Sequence, residues 1–168
     1  MERKVPEVAG VLFRSVEINV MEEFKLQNHF KEYASHLPIW TLDDRLSLFI
    51  KQQLIRDFEL NSGRNNIFKH IHANLENIVN VDVNSDEGFI NVINALGIKL
   101  LDNDQLYLIW NLDQKVDVVS VNILKTFWSS MWYGESDEAL IIYIPSKFLI
   151  FISDWGEVGI RPFIQSKI

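Results

Sequence analysis

The sequence predicts an α+β domain in which N-terminal helices pack on a C-terminal antiparallel β-sheet. Apolar residues recur with mostly helical spacing in the first part of the chain, and with mostly strand spacing from about residue 98 onward. This order favours helices on one face of the sheet. No linker or internal repeat divides residues 1–168, so we expect one domain with a helical half at about 21–97 and a sheet half at about 98–165.

The first two predicted helices have recognisable ends. Helical spacing over residues 22–36 predicts one helix, which Pro38 stops. Apolar residues from Leu42 to Phe58 predict a second, with the Thr41 hydroxyl in a capping-box position and Gly63 as the stop.

Two more helices follow, and the N-terminus is ambiguous. Residues 67–79 carry a further helical stripe, and Ser85 opens a short helix that Gly97 closes. Residues 9–20 alternate in part and fit a strand or a helix equally well.

The sheet half begins with the β-rich run at 105–110. Residues 121–131 return to helical spacing, with Ser120 as the N-cap. Apolar runs on both sides of Pro145-Ser146 predict a hairpin over residues 138–153 within a meander. A last strand at 158–164 contains Pro162, which predicts an edge position.

Composition excludes several classes of function. The chain has no Cys, which excludes a disulfide scaffold, a Cys-ligated zinc site and a thiol nucleophile. Its 23 acidic and 16 basic residues give a net charge of −7, which is unfavourable for binding nucleic acid. No apolar run is long enough for a membrane span or a signal peptide, so we expect a cytoplasmic protein with no membrane partner.

The candidate catalytic and metal motifs are incomplete. His70 and His72 form an H-x-H pair, but in a helix their side chains diverge. The stretch from Asp82 to Asp86 begins like a calcium loop and then lacks the required Gly and Glu. Phosphate-binding glycine loops and the G-x-S-x-G elbow are also missing. We therefore expect a non-enzyme without catalytic residues, metal or cofactor.

Two clusters of acidic and aromatic residues flank the predicted hairpin. Because residues 137–138 lie roughly opposite 153–154 in an antiparallel hairpin, we expect both clusters at one end of the sheet. The candidate partner-binding residues are Tyr133, Asp137, Glu138, Asp154, Trp155 and Glu157.

Three interpretations of these clusters are open. The carboxylates could act as acid and base in a small hydrolase, since neighbouring like charges separate their pKa values. They could instead form an acidic surface with aromatic anchors for a basic protein. In the third interpretation the aromatics are core and the acids are solvated turn residues. A structural or regulatory adaptor is a further functional alternative. Residues 85–168 carry 11 acidic against 6 basic side chains, net −5, which favours the acidic surface.

The order of features over residues 98–160 resembles a known group of proteins. It consists of a strand ending in Trp110, an aromatic-rich helix, the turn W-Y-G-E-S-D-E at 132–138, an apolar hairpin and an acidic end at 154–157. It is similar to small bacterial immunity-type proteins of polymorphic toxin systems, including contact-dependent growth inhibition.

This resemblance implies a cytoplasmic, non-enzymatic protein that binds and neutralises a cognate toxin domain. Such toxins are frequently nucleases with basic clefts. An acidic immunity protein would associate with a basic toxin quickly and cover its substrate groove. Neither the toxin nor the oligomeric state follows from the sequence.

Overall fold

The fold is taken from a computed structural model that describes residues 7–8, 11–12, 23–60, 67–110, 115–134, 137, 139–145 and 147–163. The helices are α1 Glu23–Tyr33, α2 Asp44–Asp57, α3 Ile67–Ala73, α4 Gly88–Ala95, α5 Val121–Thr126 and α6 Trp128–Met131. The strands are β1 Glu7–Val8, β2 Val11–Leu12, β3 Trp40–Thr41, β4 Glu76–Asn80, β5 Gln105–Ile109, β6 Asp117–Ser120, β7 Ala139–Ile144, β8 Phe148–Ser153 and β9 Glu157–Pro162.

Seven strands form one antiparallel sheet in the order β3-β6-β5-β7-β8-β9-β4. Strands β7, β8 and β9 are consecutive neighbours, as in a meander. The predicted α+β class, with N-terminal helices on a C-terminal sheet, is confirmed. Both edge strands, β3 and β4, come from the helical half of the chain. Strands β1 and β2 form a separate antiparallel pair.

Helices cover both faces of this sheet, so the expectation of helices on one face is wrong. On one face, α4, α5 and α6 pack against the side chains of Leu108, Leu140 and Ile152. On the other, α2 and α3 pack against Tyr107 and Ile141. Neighbouring residues of a strand point to opposite faces, so the nearly continuous apolar runs of β5, β7 and β8 require cover on both sides.

The predicted hairpin is confirmed, and its register runs from Ala139 opposite Ser153 to Ile144 opposite Phe148. The edge position predicted for the last strand is wrong. Strand β9 lies between β8 and β4, and Pro162 is its final residue, opposite Phe148. The pairing with β4 reaches only to Ile160, so the missing N–H of Pro162 interrupts no hydrogen bond to β4.

The helix predicted over 67–79 is correct only in its first part. Helix α3 ends at Ala73, and β4 follows as an edge strand paired with β9. Strand β6 was also missed, because its four residues directly precede α5. In both places pairing with a distant strand overrides the local pattern.

The predicted helix ends are partly correct. Asp43 caps α2 by accepting a hydrogen bond from the Leu46 N–H, whereas Thr41 lies in β3. Gly97 has the left-handed φ of +65° that suits the end of α4, and Ser120 caps α5 as predicted. Gly63 and residues 13–20 lie outside the described residues. In the part of the chain that the structure describes, no helix is long and apolar enough to cross a membrane.

Candidate functional site

The hairpin register brings the two predicted acidic and aromatic clusters to one end of the sheet. Ala139 at the start of β7 is opposite Ser153 at the end of β8, so the segments before and after these residues leave the sheet together. Strand β4 ends at the same place, where Asn80 is opposite Glu157. The side chains of the two clusters nevertheless have different environments.

Asp137 turns inward rather than toward solvent. The Lys25 Nζ on α1 lies 2.7 Å from both of its carboxylate oxygens, and the Tyr133 N–H donates to Oδ2 at 2.7 Å. The Lys25 and Asp137 side chains are only 2% and 9% exposed. Asp137 therefore forms a buried ion pair and contributes little to an outer acidic surface.

Tyr133 is half-buried beside the same lysine. Its ring centroid is 5.3 Å from the Lys25 Nζ, and its edge-on contact with Phe24 has a centroid distance of 5.4 Å. Glu138, another of the candidate partner-binding residues, lies outside the described residues.

The second cluster, in the β8–β9 turn, does face solvent. Trp155 is 68% exposed, and its Nε1 donates to the Glu157 Oε2 at 2.9 Å. The same oxygen lies 3.0 Å from the His72 Nε2 on α3. The hydrogen bond from Trp155, followed by that from His72, lowers the pKa of Glu157. Asp154 is half-buried, and its Oδ1 has no hydrogen-bond partner among the described residues.

A second acidic loop lies beside this turn, and its residues were not among the predicted site residues. The Val81 N–H donates to the Gly156 carbonyl at 2.8 Å, which joins residues 81–87 to the turn. The acids of both loops are Asp82, Asp86, Glu87, Asp154 and Glu157, and we call them the acidic rim. Their spacing in sequence indicated only a turn and a helix start, because the β4–β9 pairing that unites them is non-local.

Beside the rim, Lys25 lies in a polar site between α1 and the sheet. Its Nζ is 4.9 Å from the ring centroid of Trp110, whose Nε1 donates to the Asp117 Oδ2 at 3.1 Å. The other Asp117 oxygen is 2.5 Å from the Thr41 hydroxyl. Complete burial raises the pKa of Asp117 to about 7, although the bonds from Thr41 and Trp110 and the charge of Lys25 oppose this.

One helical turn along α1, His29 forms a second buried contact. Its Nδ1 is 2.8 Å from the Ser130 Oγ, and its Nε2 is buried without a partner among the described residues. Burial lowers the pKa of His29. A Ser-His catalytic pair needs a reachable hydroxyl and a group that orients the imidazole. Ser130 is 4% exposed, so this pair has the geometry of a packing contact.

For the hydrolase alternative, the two carboxyls with shifted pKa values can be compared with what a general acid requires. A general acid near neutral pH needs a carboxyl with a raised pKa that can reach the substrate. The pKa of Glu157 is lowered, and Asp117, whose pKa is raised, is fully buried. Within the described residues, no three His, Asp or Glu side chains are grouped closely enough to hold a metal ion.

No protein-family model matches the chain, and no curated protein or solved structure matches it significantly. The candidate site consists of the acidic rim, in which Asp82, Asp86 and Glu87 are exposed, the exposed Trp155 and an adjacent buried lysine site.

Proposed function

We propose that this protein is a non-enzymatic immunity protein that binds a basic toxin domain in the cytoplasm through the acidic rim. The observation that carries the proposal is the meeting of two acidic loops at one end of the sheet, next to the 68% exposed Trp155. An exposed indole beside carboxylates offers an anchor together with complementary charge.

Charge accounts for how such a complex would form. The chain carries a net charge of −7, and the hydrogen bonds from Trp155 and His72 lower the pKa of Glu157, which favours its ionised form. A surface of one sign attracts a partner of the opposite sign and accelerates association more than it changes the dissociation rate. The rim would therefore direct a basic toxin domain to this end of the sheet.

The test begins with the gene neighbourhood. We expect the gene to lie directly beside a gene for a large secreted toxin, and the purified toxin domain to bind this protein. Replacing Asp86 and Glu87 with Lys should slow association by about tenfold at low salt, and by much less at high salt. Both acids are exposed.

The control is Asp102→Lys, which reverses one charge where the rim variant reverses two and also removes the exposed ion pair of Asp102 with Lys125. Asp102 is 68% exposed and precedes β5, at the opposite end of the sheet from the rim. This variant should associate at nearly the unmodified rate. Equal rates for the rim and control variants, or the absence of a toxin gene beside this one, would contradict the proposal.

A further inference from the structure

Helix α1 has an unusual distribution of polar and apolar residues. Its fully buried side chains among residues 24–33 are Lys25 and His29, whereas Phe24, Phe30 and Tyr33 are exposed. A helix that packs on a core normally buries its apolar side chains and exposes its charged ones. The attachment of α1 therefore includes polar contacts of Lys25 and His29 in addition to the packing of Leu26 on the core.

The groups around the Lys25 ammonium form a cage suited to an alkylammonium ion. Two carboxylate oxygens of Asp137 lie at 2.7 Å, and the ring centroids of Trp110 and Tyr133 lie at 4.9 and 5.3 Å. Asp117 adds a further acidic group through its bond to the Trp110 indole. Carboxylates and aromatic faces are the groups with which proteins bind ammonium ions. We call Trp110, Asp117, Tyr133 and Asp137 the ammonium cage.

The cage belongs to the sheet half of the chain, and only its occupant comes from α1. Trp110 and Asp117 flank the β5–β6 connection, and Tyr133 and Asp137 lie between α6 and β7. Without a cation, the charge of Asp137 would remain buried and unpaired, which is strongly unfavourable. Entry of another cation as Lys25 leaves the cage would remove this cost.

The cage also adjoins the acidic rim. The Trp132 Nε1 donates to the Asn84 Oδ1 at 3.0 Å, which connects the segment of Tyr133 to the loop of Asp82. A Cβ on Gly134 would lie 2.1 Å from the same Asn84 oxygen, so the two segments are in close contact. A protein bound at the rim would have its own side chains next to α1 and the cage.

We propose that the ammonium cage is a lysine-binding site, filled by Lys25 in the free protein and by a lysine of the basic partner in the complex. Exchange of the two lysines displaces α1. The source of the incoming lysine rests on the proposed function, whereas the affinity of the cage for an alkylammonium ion does not.

The cage itself is tested by chemical rescue of Lys25→Ala. The substitution removes three carbons and the ammonium nitrogen, which n-propylammonium replaces, and 1-propanol is the neutral probe of similar size. We expect n-propylammonium chloride to raise the Tm of K25A by several degrees above equal concentrations of sodium chloride or 1-propanol. If K25A is unfolded alone, recovery of its far-UV circular dichroism by n-propylammonium is the equivalent result.

Two control variants make the rescue specific. Lys31→Ala removes an exposed lysine of the same helix and should show no response beyond that of the unmodified protein. The double variant K25A/D137N should lose the response, because the amide lacks the charge that binds the ammonium. Equal responses of K25A and K31A, or no rescue of K25A, would overturn the cage.

Exchange is tested on the unmodified protein with acetyl-capped tetralysine. When the protein is saturated with this peptide, we expect amide hydrogen exchange in α1 to accelerate about tenfold or more, while exchange in β7 and β8 is unchanged. Unchanged exchange in α1 at saturation would overturn the displacement. Neither experiment uses a toxin, so their failure would leave the rim proposal standing, and failure of toxin binding would leave a rescued cage standing.

Discussion

Lys25 and Asp137 lie 112 residues apart in the sequence, and the Nζ of Lys25 is 2.7 Å from both carboxylate oxygens of Asp137. This buried ion pair links α1 to the segment that precedes β7. It also explains why an acid in an apparently solvated turn is withdrawn from the surface. The stability of the pair and the function of its neighbours are open to direct measurement.

The first prediction concerns the lysine of this pair. Lys25→Met leaves the charge of Asp137 buried, so the free energy of unfolding should fall by about 3–5 kcal/mol. Urea denaturation measures the change. Lys31→Met, at an exposed position of α1, should change it by no more than about 0.5 kcal/mol.

The double variant K25M/D137N provides the test of coupling. Because it removes the stranded charge, it should recover part of the stability that K25M loses. If the losses of K25M and D137N, each measured alone, add up to the loss of K25M/D137N, the pair makes no specific contribution to stability.

The second prediction concerns Asp117 and pH. Its pKa rises from the ordinary value of 3.8 to about 7 on folding, so the native state holds this proton more tightly than the unfolded state. Stability relative to Asp117→Asn should therefore fall as pH rises from about 4 to about 7, by roughly 4 kcal/mol in all, and then level off.

Urea denaturation of both proteins between pH 4 and pH 8 gives this difference, in which most other titrating groups cancel. A difference that is flat, or that grows in favour of the unmodified protein with rising pH, would refute a raised pKa at Asp117.

The third prediction concerns Gly156 in the β8–β9 turn, whose carbonyl oxygen accepts the hydrogen bond from the Val81 N–H. Gly156 has a φ of +87°, and a Cβ there would lie 2.5 Å from the Val81 carbonyl oxygen. Gly156→Ala should lower the free energy of unfolding by more than the roughly 1–2 kcal/mol of backbone strain alone.

Gly97→Ala is the matched control for strain without collision. Its φ is +65°, and a Cβ would meet nothing within 4 Å. Thermal or urea unfolding should place G156A well below G97A in stability. Equal losses of stability in the two variants would show that the contact between the new Cβ and the Val81 carbonyl oxygen does not destabilise the protein.

The fourth prediction concerns Trp155. Because the side chain is 68% exposed, Trp155→Ala should change the free energy of unfolding by no more than about 0.5 kcal/mol. If Trp155 anchors the partner, the same variant should weaken toxin binding by about 2 kcal/mol or more, measured by calorimetry.

Leu101→Ala is the corresponding control, since Leu101 is 74% exposed before β5 at the other end of the sheet. The affinity of the Leu101→Ala variant for the toxin domain should match that of the unmodified protein. Equal affinities of the Leu101 and Trp155 variants would remove Trp155 from the interface.

Local patterns in the sequence were enough for much of the fold. The stripe of α2, the Ser120 cap of α5 and the hairpin around Pro145 were all predictable, because each depends on residues close together in the chain. The hairpin in turn predicted that Asp154 would lie near the segment of Asp137. Contacts of this kind need no knowledge of distant elements.

Edge strands and buried polar pairs could not be predicted in this way. Ile78 and Val79 continue a helical stripe, yet they lie in β4 because β9 offers backbone hydrogen-bonding partners. Lys25 on α1 gives no sign in the sequence of the carboxylate it meets.

The sequence by itself determined the α+β class, the central hairpin and the concentration of negative charge in the second half of the chain. Only the tertiary structure decided which acids remain on the surface, since Asp137 and Asp117 turn inward while Asp82, Asp86 and Glu87 join Glu157 at the rim. The physical reason is that burial of a charge depends on partners from distant elements, and these become neighbours only when the chain folds.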